Sequence, residues 1–204
     1  MKKIIAAAAL LALLVILYRG FQSNSGKAGE TTAGMASNEN AAPTAALPTG
    51  KEGGESGSTF TREEAGLILA LHNRARTAVG TPPLTWSDEL ARYAQEWADH
   101  LASSSTFDHR PESGRWRQLH GENLYMGTAA YYGLERAGEA WIEEKSHYDG
   151  RPINEANVAA AGHYTQVVWR ETRAVGCGKA LRDGQLIVVC NYEPAGNIEG
   201  ERPY

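Results

Sequence analysis

The dipeptide Asp183-Gly184 lies between two strand-like runs. Such a pair is a strong signal for a two-residue hairpin, because the turn that matches strand twist needs positive φ at both central positions. The turn sets the register of everything on either side of it. Residues whose numbers sum to 367 must lie opposite one another, and Cys177 with Cys190 meets that condition. Counted outward from the hydrogen-bonded pair Arg182 and Gln185, the cysteines fall on a non-hydrogen-bonded pair, where Cα atoms are about 4.5 Å apart. A disulfide spans that distance. The chain has no other cysteine, so we expect a cross-strand disulfide and an oxidising compartment, with two buried free thiols as the other reading. Closing so short a loop adds about 2 to 3 kcal/mol, enough to secure the hairpin without deciding the fold.

The other end of the chain reads as an address. Met1, Lys2 and Lys3 precede an apolar run over residues 4–18, the charged and apolar regions of a secretory signal. The run is shorter than the roughly 20 residues of an ordinary membrane span, and residues 1–19 are expected to be a signal peptide or an uncleaved N-terminal membrane anchor. Residues 20–58 are rich in Gly, Ser, Ala, Thr, Asn and Pro with few large apolar side chains. Such a segment cannot bury enough apolar surface to offset the entropy of ordering it. A disordered linker is expected there, and one folded domain over residues 59–204. The formal net charge of −4 is small and the basic residues are scattered, so no nucleic-acid partner is expected.

Within the domain, Thr61 followed by Glu64 is a capping box that opens a first helix, which Gly80, Pro82 and Pro83 end. Ser87 precedes a second helix, in which Leu90, Ala94, Trp97 and Leu101 form one apolar stripe. An irregular stretch is expected from there to Gly127, a third helix over residues 134–148, and a strand over residues 164–169, where apolar and polar residues alternate. Helices first and strands last, with a mostly antiparallel sheet, indicate an α+β or three-layer fold.

Four residues invite chemistry: His109 in a Phe-Asp-His-Arg loop, Glu122 in Gly-Glu-Asn, one of the pair Glu143 and Glu144, and His163. Ala137, Trp141, Glu144 and Tyr148 share a helical stripe, which turns Glu144 inward with Trp141 and leaves Glu143 toward solvent. Two imidazoles and two carboxylates could hold a borderline metal such as zinc, the carboxylates ligating it or orienting the rings, or they could act as acid and base. Spacing alone does not unite them, since no His-x-x-x-His or Cys-x-x-Cys pattern is present. No serine or cysteine is paired with a histidine in a triad-like motif. His72 and Asn73 are expected to hydrogen-bond neighbouring loops, Asn123 and Asn191 to organise loops, and Trp141, Tyr164 and Trp169 to be core. His100, His120 and His147 are expected at the surface.

The segment Gly162-His163-Tyr164-Thr165-Gln166-Val167-Val168-Trp169-Arg170 resembles one signature of the CAP superfamily, named for cysteine-rich secretory proteins, antigen 5 and pathogenesis-related proteins. Val189-Cys190-Asn191-Tyr192-Glu193-Pro194-Ala195-Gly196-Asn197 resembles the second. His72-Asn73-Arg74-Ala75-Arg76 and Gly121-Glu122-Asn123-Leu124 resemble two shorter motifs. The resemblance runs from about residue 60 to the end of the chain and includes the plant pathogenesis-related members. It implies a three-layer α-β-α sandwich. It also implies a cleft lined by His109, Glu122, Glu144 and His163, with zinc or another divalent metal held by His109 and His163. A secreted or envelope-tethered module that binds a lipid or sterol follows as the leading expectation. A metal-dependent hydrolase or protease using the tetrad, and a structural or adhesive envelope domain, are the alternatives.

Overall fold

A computed structural model describes residues 57–204 apart from residue 132. The expected leader, and all but the last two residues of the expected linker, lie outside the described residues. The chain runs α1 (Arg62–Thr77), β1 (Thr85–Trp86), α2 (Asp88–Ser103), β2 (Gly121–Thr128), α3 (Leu134–Glu143), a 3-10 turn (Glu144–His147), α4 (Glu155–Val167), β3 (Ala174–Arg182) and β4 (Gln185–Glu193). Among the described residues, no helix is long and apolar enough to cross a membrane.

Both expected helix starts are present. The Thr61 hydroxyl accepts from the Glu64 amide at 3.2 Å, and the Glu64 carboxylate accepts from the Thr61 amide at 2.8 Å. Ser87 caps α2 by accepting from the Leu90 amide at 3.3 Å. Such caps satisfy amides that have no partner inside the helix.

The sheet order is β1-β3-β4-β2. β3 pairs antiparallel with β4, and β4 with β2, while the two-residue β1 runs parallel to β3, so the sheet is mixed. Asp183 and Gly184 turn with φ of 50° and 76°, Arg182 faces Gln185, and Cys177 faces Cys190. The two cysteines form the disulfide, with Cα atoms 4.1 Å apart.

Strands covered on both faces make three layers. Val188, Cys190 and Tyr192 of β4, with Val175 and Cys177 of β3, pack into the core formed with α1, α3 and α4. Ile187 and Val189, alternate residues of β4, pack with Leu124 against Ala94, Trp97 and Leu101 of α2. α2 sits almost on the strand backbone. A Cβ on Gly176 would lie 2.2 Å from the Ala91 amide nitrogen, and one on Gly178 would lie 2.4 Å from Gln95 backbone atoms, so only glycine allows this approach.

Three expectations change. Residues 164–169 are not a strand: α4 runs through Val167, so His163 lies in a helix. Every residue from 164 to 169 is buried, so the alternation that suggested a strand does not mark a solvent face, and polar side chains there are enclosed as fully as apolar ones. The stretch before Gly127 is not wholly irregular, since β2 begins at Gly121. The third helix ends at Glu143 and tightens into the 3-10 turn, leaving Tyr148 extended.

Candidate functional site

The four residues are placed as two His-Glu pairs. His109 lies in the loop after α2, and Glu122 is the second residue of β2. His109 Nδ1 is 2.8 Å from Glu122 Oε1, which also accepts from the Arg110 amide at 3.1 Å. Asn191 Nδ2, on the neighbouring strand, donates to Glu122 Oε2 at 3.3 Å. The loop is anchored by Arg110. Its guanidinium lies 3.8 Å over the Tyr93 ring and donates to the Tyr93 carbonyl, with Nε 3.8 Å from Glu122 Oε2. Burial pushes the Arg110 guanidinium down, against the opposing pull of Tyr93 and Glu122. Trp97 Nε1 secures the same loop by donating to the Asp108 carbonyl at 3.1 Å.

The second pair rests on a break in α4. Ala161 leaves the helical region, with φ of −147° and ψ of 22°, so amides beyond it have lost their partners one turn back. Glu144 takes them. Its Oε2 accepts from the His163 amide at 2.9 Å and the Tyr164 amide at 3.2 Å, while Oε1 is 2.6 Å from His163 Nδ1. Asn197 Nδ2 donates to the Gly162 carbonyl at 2.9 Å and so holds the other side of the break. Glu143 points outward to Arg136, with oxygens 2.6 and 2.7 Å from the guanidinium, and Arg136 holds its carboxyl below the usual range. The helical stripe had selected Glu144.

The edge strand β2 brings the pairs near one another. Glu122 and Asn191 share the face that α2 covers, whereas Asn123, the next residue, points to the opposite face and donates to the His163 carbonyl at 3.1 Å. The pairs therefore straddle one edge of the sheet at consecutive residues. Among the described residues, no group of three or more His, Cys, Asp or Glu side chains comes together as a metal site. Both rings share one further property. Each uses Nδ1 on its carboxylate, and the Nε2 atoms of His109 and His163 are buried with no hydrogen-bond partner among the described residues.

Other readings sort themselves by contact. Asn73 bonds the Leu84 amide and carbonyl of the following loop, but His72 does not reach a loop. It bonds the Ile68 carbonyl in its own helix and the Tyr192 hydroxyl on β4. Asn123 and Asn191 stand on strands and hold the site. Trp141, Tyr164 and Trp169 are buried, as expected. His147 is exposed, whereas His120 is half-buried against Glu193 and His100 stacks on Trp97. Arg110 and Tyr192 lie within the Phe-Asp-His-Arg loop and the second signature, but nothing in the sequence assigned either of them a role.

Comparison with known proteins agrees with this architecture. Residues 69–192 match the model of the CAP family, described as the Cysteine-rich secretory protein family. Pathogenesis-related protein 1A of Nicotiana tabacum is 42% identical over 137 residues, covering 67% of this chain and 78% of that protein. The crystal structure of NaASP2 with Zn2+ superposes with a TM-score of 0.59 at 26% identity, covering 70% of this chain and 85% of that one. BmVAL-1 superposes with a TM-score of 0.61 at 26% identity, covering 72% and 84%. With a family model over more than half its length, a relative above two-fifths identity and the same fold, this chain belongs to the CAP (Cysteine-rich secretory protein) family.

Proposed function

We propose that the domain is an extracytoplasmic metal-binding module in which His109 and His163 hold one divalent cation, zinc by preference, through their Nε2 atoms. The observation that carries this reading is the pair of buried, unpartnered Nε2 atoms. A buried acceptor or donor without a partner costs about 1 to 3 kcal/mol, and a cation would use both. Each ring has its far nitrogen on a carboxylate, the arrangement by which proteins fix the tautomer and raise the basicity of a ligating imidazole. The solved relative NaASP2, at 26% identity, was crystallised with Zn2+. Two protein ligands leave positions open for water or a ligand group, where a bound cation would act as a Lewis acid.

Binding fits the two glutamates better than acid-base chemistry does. All four of their oxygens already accept a hydrogen bond: from His109, Arg110 and Asn191 at Glu122, and from His163 and Tyr164 at Glu144. Each carboxylate so commits three of its four lone-pair sites to the protein, and protonating it would weaken its charge-assisted hold on the imidazole. The disulfide and the family's secretory character support a location outside the cytoplasm.

Calorimetric titration with zinc chloride tests the reading. One site per chain is expected, and His109→Ala or His163→Ala should abolish it while the fold remains. Equal binding by wild type and both variants would overturn it. A second reading, a lipid or sterol carrier, rests on a cavity of about 430 Å³ beside α1, where Ala75, Ala78, Ile142 and Tyr164 meet charged rim residues. Retention of sterol or fatty acid by the purified domain, undiminished in the histidine variants, is its expected mark, and empty protein would exclude it.

A further inference from the structure

A hydrogen-bond chain leads from the middle of α1 to the backbone of His163. His72, fully buried, has Nδ1 2.7 Å from the Ile68 carbonyl and Nε2 2.8 Å from the Tyr192 hydroxyl. Asn123 Nδ2 donates to that hydroxyl at 3.1 Å and to the His163 carbonyl at 3.1 Å. Chemistry sets the direction of every link. The Ile68 carbonyl can only accept, so Nδ1 carries the proton of the neutral ring. Nε2 then has only a lone pair to offer, and the Tyr192 hydroxyl must donate to it. With its proton committed, Tyr192 can only accept from Asn123. The His163 carbonyl can only accept as well, so the Asn123 amide is locked in one orientation with both protons in use. Its Oδ1, left over, is buried without a partner among the described residues. A second path runs alongside, since the Trp141 ring lies 6.2 Å from His72 and 6.4 Å from His163 between ring centres.

We infer that Tyr192 and Asn123, oriented by His72, are positioning residues for His163, fixing the backbone from which its imidazole reaches the cation. This rests on the metal reading above. It goes further by assigning roles to three residues that touch neither the imidazole ring nor its carboxylate, and it makes the affinity of one histidine depend on a residue of another helix, His72 of α1. Among the described residues no side-chain hydrogen bond joins the His109 pair to this chain, and Glu122 faces the opposite side of the sheet. A general loosening of the domain would affect both histidines. Loss of the chain should affect one.

The test uses the full-length protein, zinc alone as probe, and the imidazole nitrogen resonances of the two histidines. Tyr192→Phe removes the hydroxyl and keeps the ring, and Asn123→Ala removes the donor to His163. Each should weaken zinc binding about tenfold, the lower end of the effect of losing an outer partner at metal sites. The double variant should be no weaker than Asn123→Ala, because one chain is broken only once. In metal-free protein, His163 resonances should move in both variants while those of His109 stay. Unchanged zinc affinity with unmoved His163 resonances would overturn the inference, and so would additive losses or equal movement of both histidines. Should wild type bind no zinc while His163 alone responds, the positioning chain stands and the metal reading falls. If Tyr192→Phe does not fold, Asn123→Ala carries the same comparison.

Discussion

His72 offers a direct thermodynamic test of the core. Burial holds its imidazole down at about 4, with nearby Arg76 adding to the effect and the Ile68 carbonyl only partly opposing it. In the unfolded chain the same ring titrates near 6.5. Between those values the unfolded state binds a proton that the folded state refuses, so the stability is fully present above about pH 6.5 and is lost as pH falls toward 4. Below that no further loss comes from this group. The window spans about 2.5 pH units at about 1.4 kcal/mol each, or ~3 kcal/mol. That is a large share of the roughly 5 to 15 kcal/mol typical of a domain. Urea unfolding of wild type and His72→Gln at intervals from pH 7 to 4 isolates it, because all other titrating groups are common to both proteins. His72→Gln is expected to be the less stable protein at pH 7 and to close the gap by ~3 kcal/mol at pH 4. Curves that stay parallel through the window would refute the idea that a neutral, buried imidazole sits in this core.

Further outcomes follow from particular contacts. Arg76→Met should cost about 4 kcal/mol by urea unfolding, since the guanidinium donates to the carbonyls of Pro82, Val167, Trp169 and Thr172, all of which lose a partner; Arg76→Lys, lacking the planar fork, should recover little. Gly178→Ala forces a methyl group into the α2 backbone and should lower stability by on the order of 3 kcal/mol, visible as a fall of several degrees in thermal midpoint. Reducing the Cys177–Cys190 bridge should cost about 2 to 3 kcal/mol without dissolving the fold, read by unfolding with and without reductant. Glu144→Gln should weaken zinc binding about 10-fold or more and Glu143→Gln should not, because only Glu144 contacts His163.

What could be read from the residues alone was whatever depends on neighbours in sequence. The Asp183-Gly184 turn sets strand register by counting, and so placed Cys177 opposite Cys190. The Thr61 box and the Ser87 cap are local hydrogen bonds and appear where expected. The stripe that joins Trp141 to Glu144 separated the inward glutamate from Glu143 at the surface, within a single helical turn. The signature motifs brought the family and its layered architecture into view.

Only the tertiary structure decided the rest, and the reason is the same in each case. Residues 164–169 are buried all round, so the alternation that suggested a strand marked no solvent face, and packing made residues 164–167 the end of a helix. The break at Ala161 exists because partners distant in sequence, Glu144 and Asn197, supply the bonds the helix gives up there. The pairing of His109 with Glu122 and of His163 with Glu144 required an edge strand whose consecutive residues face opposite sides. The chain through Tyr192 and Asn123 crosses from α1 to β4 to β2, and no spacing along the sequence records a contact that only folding creates.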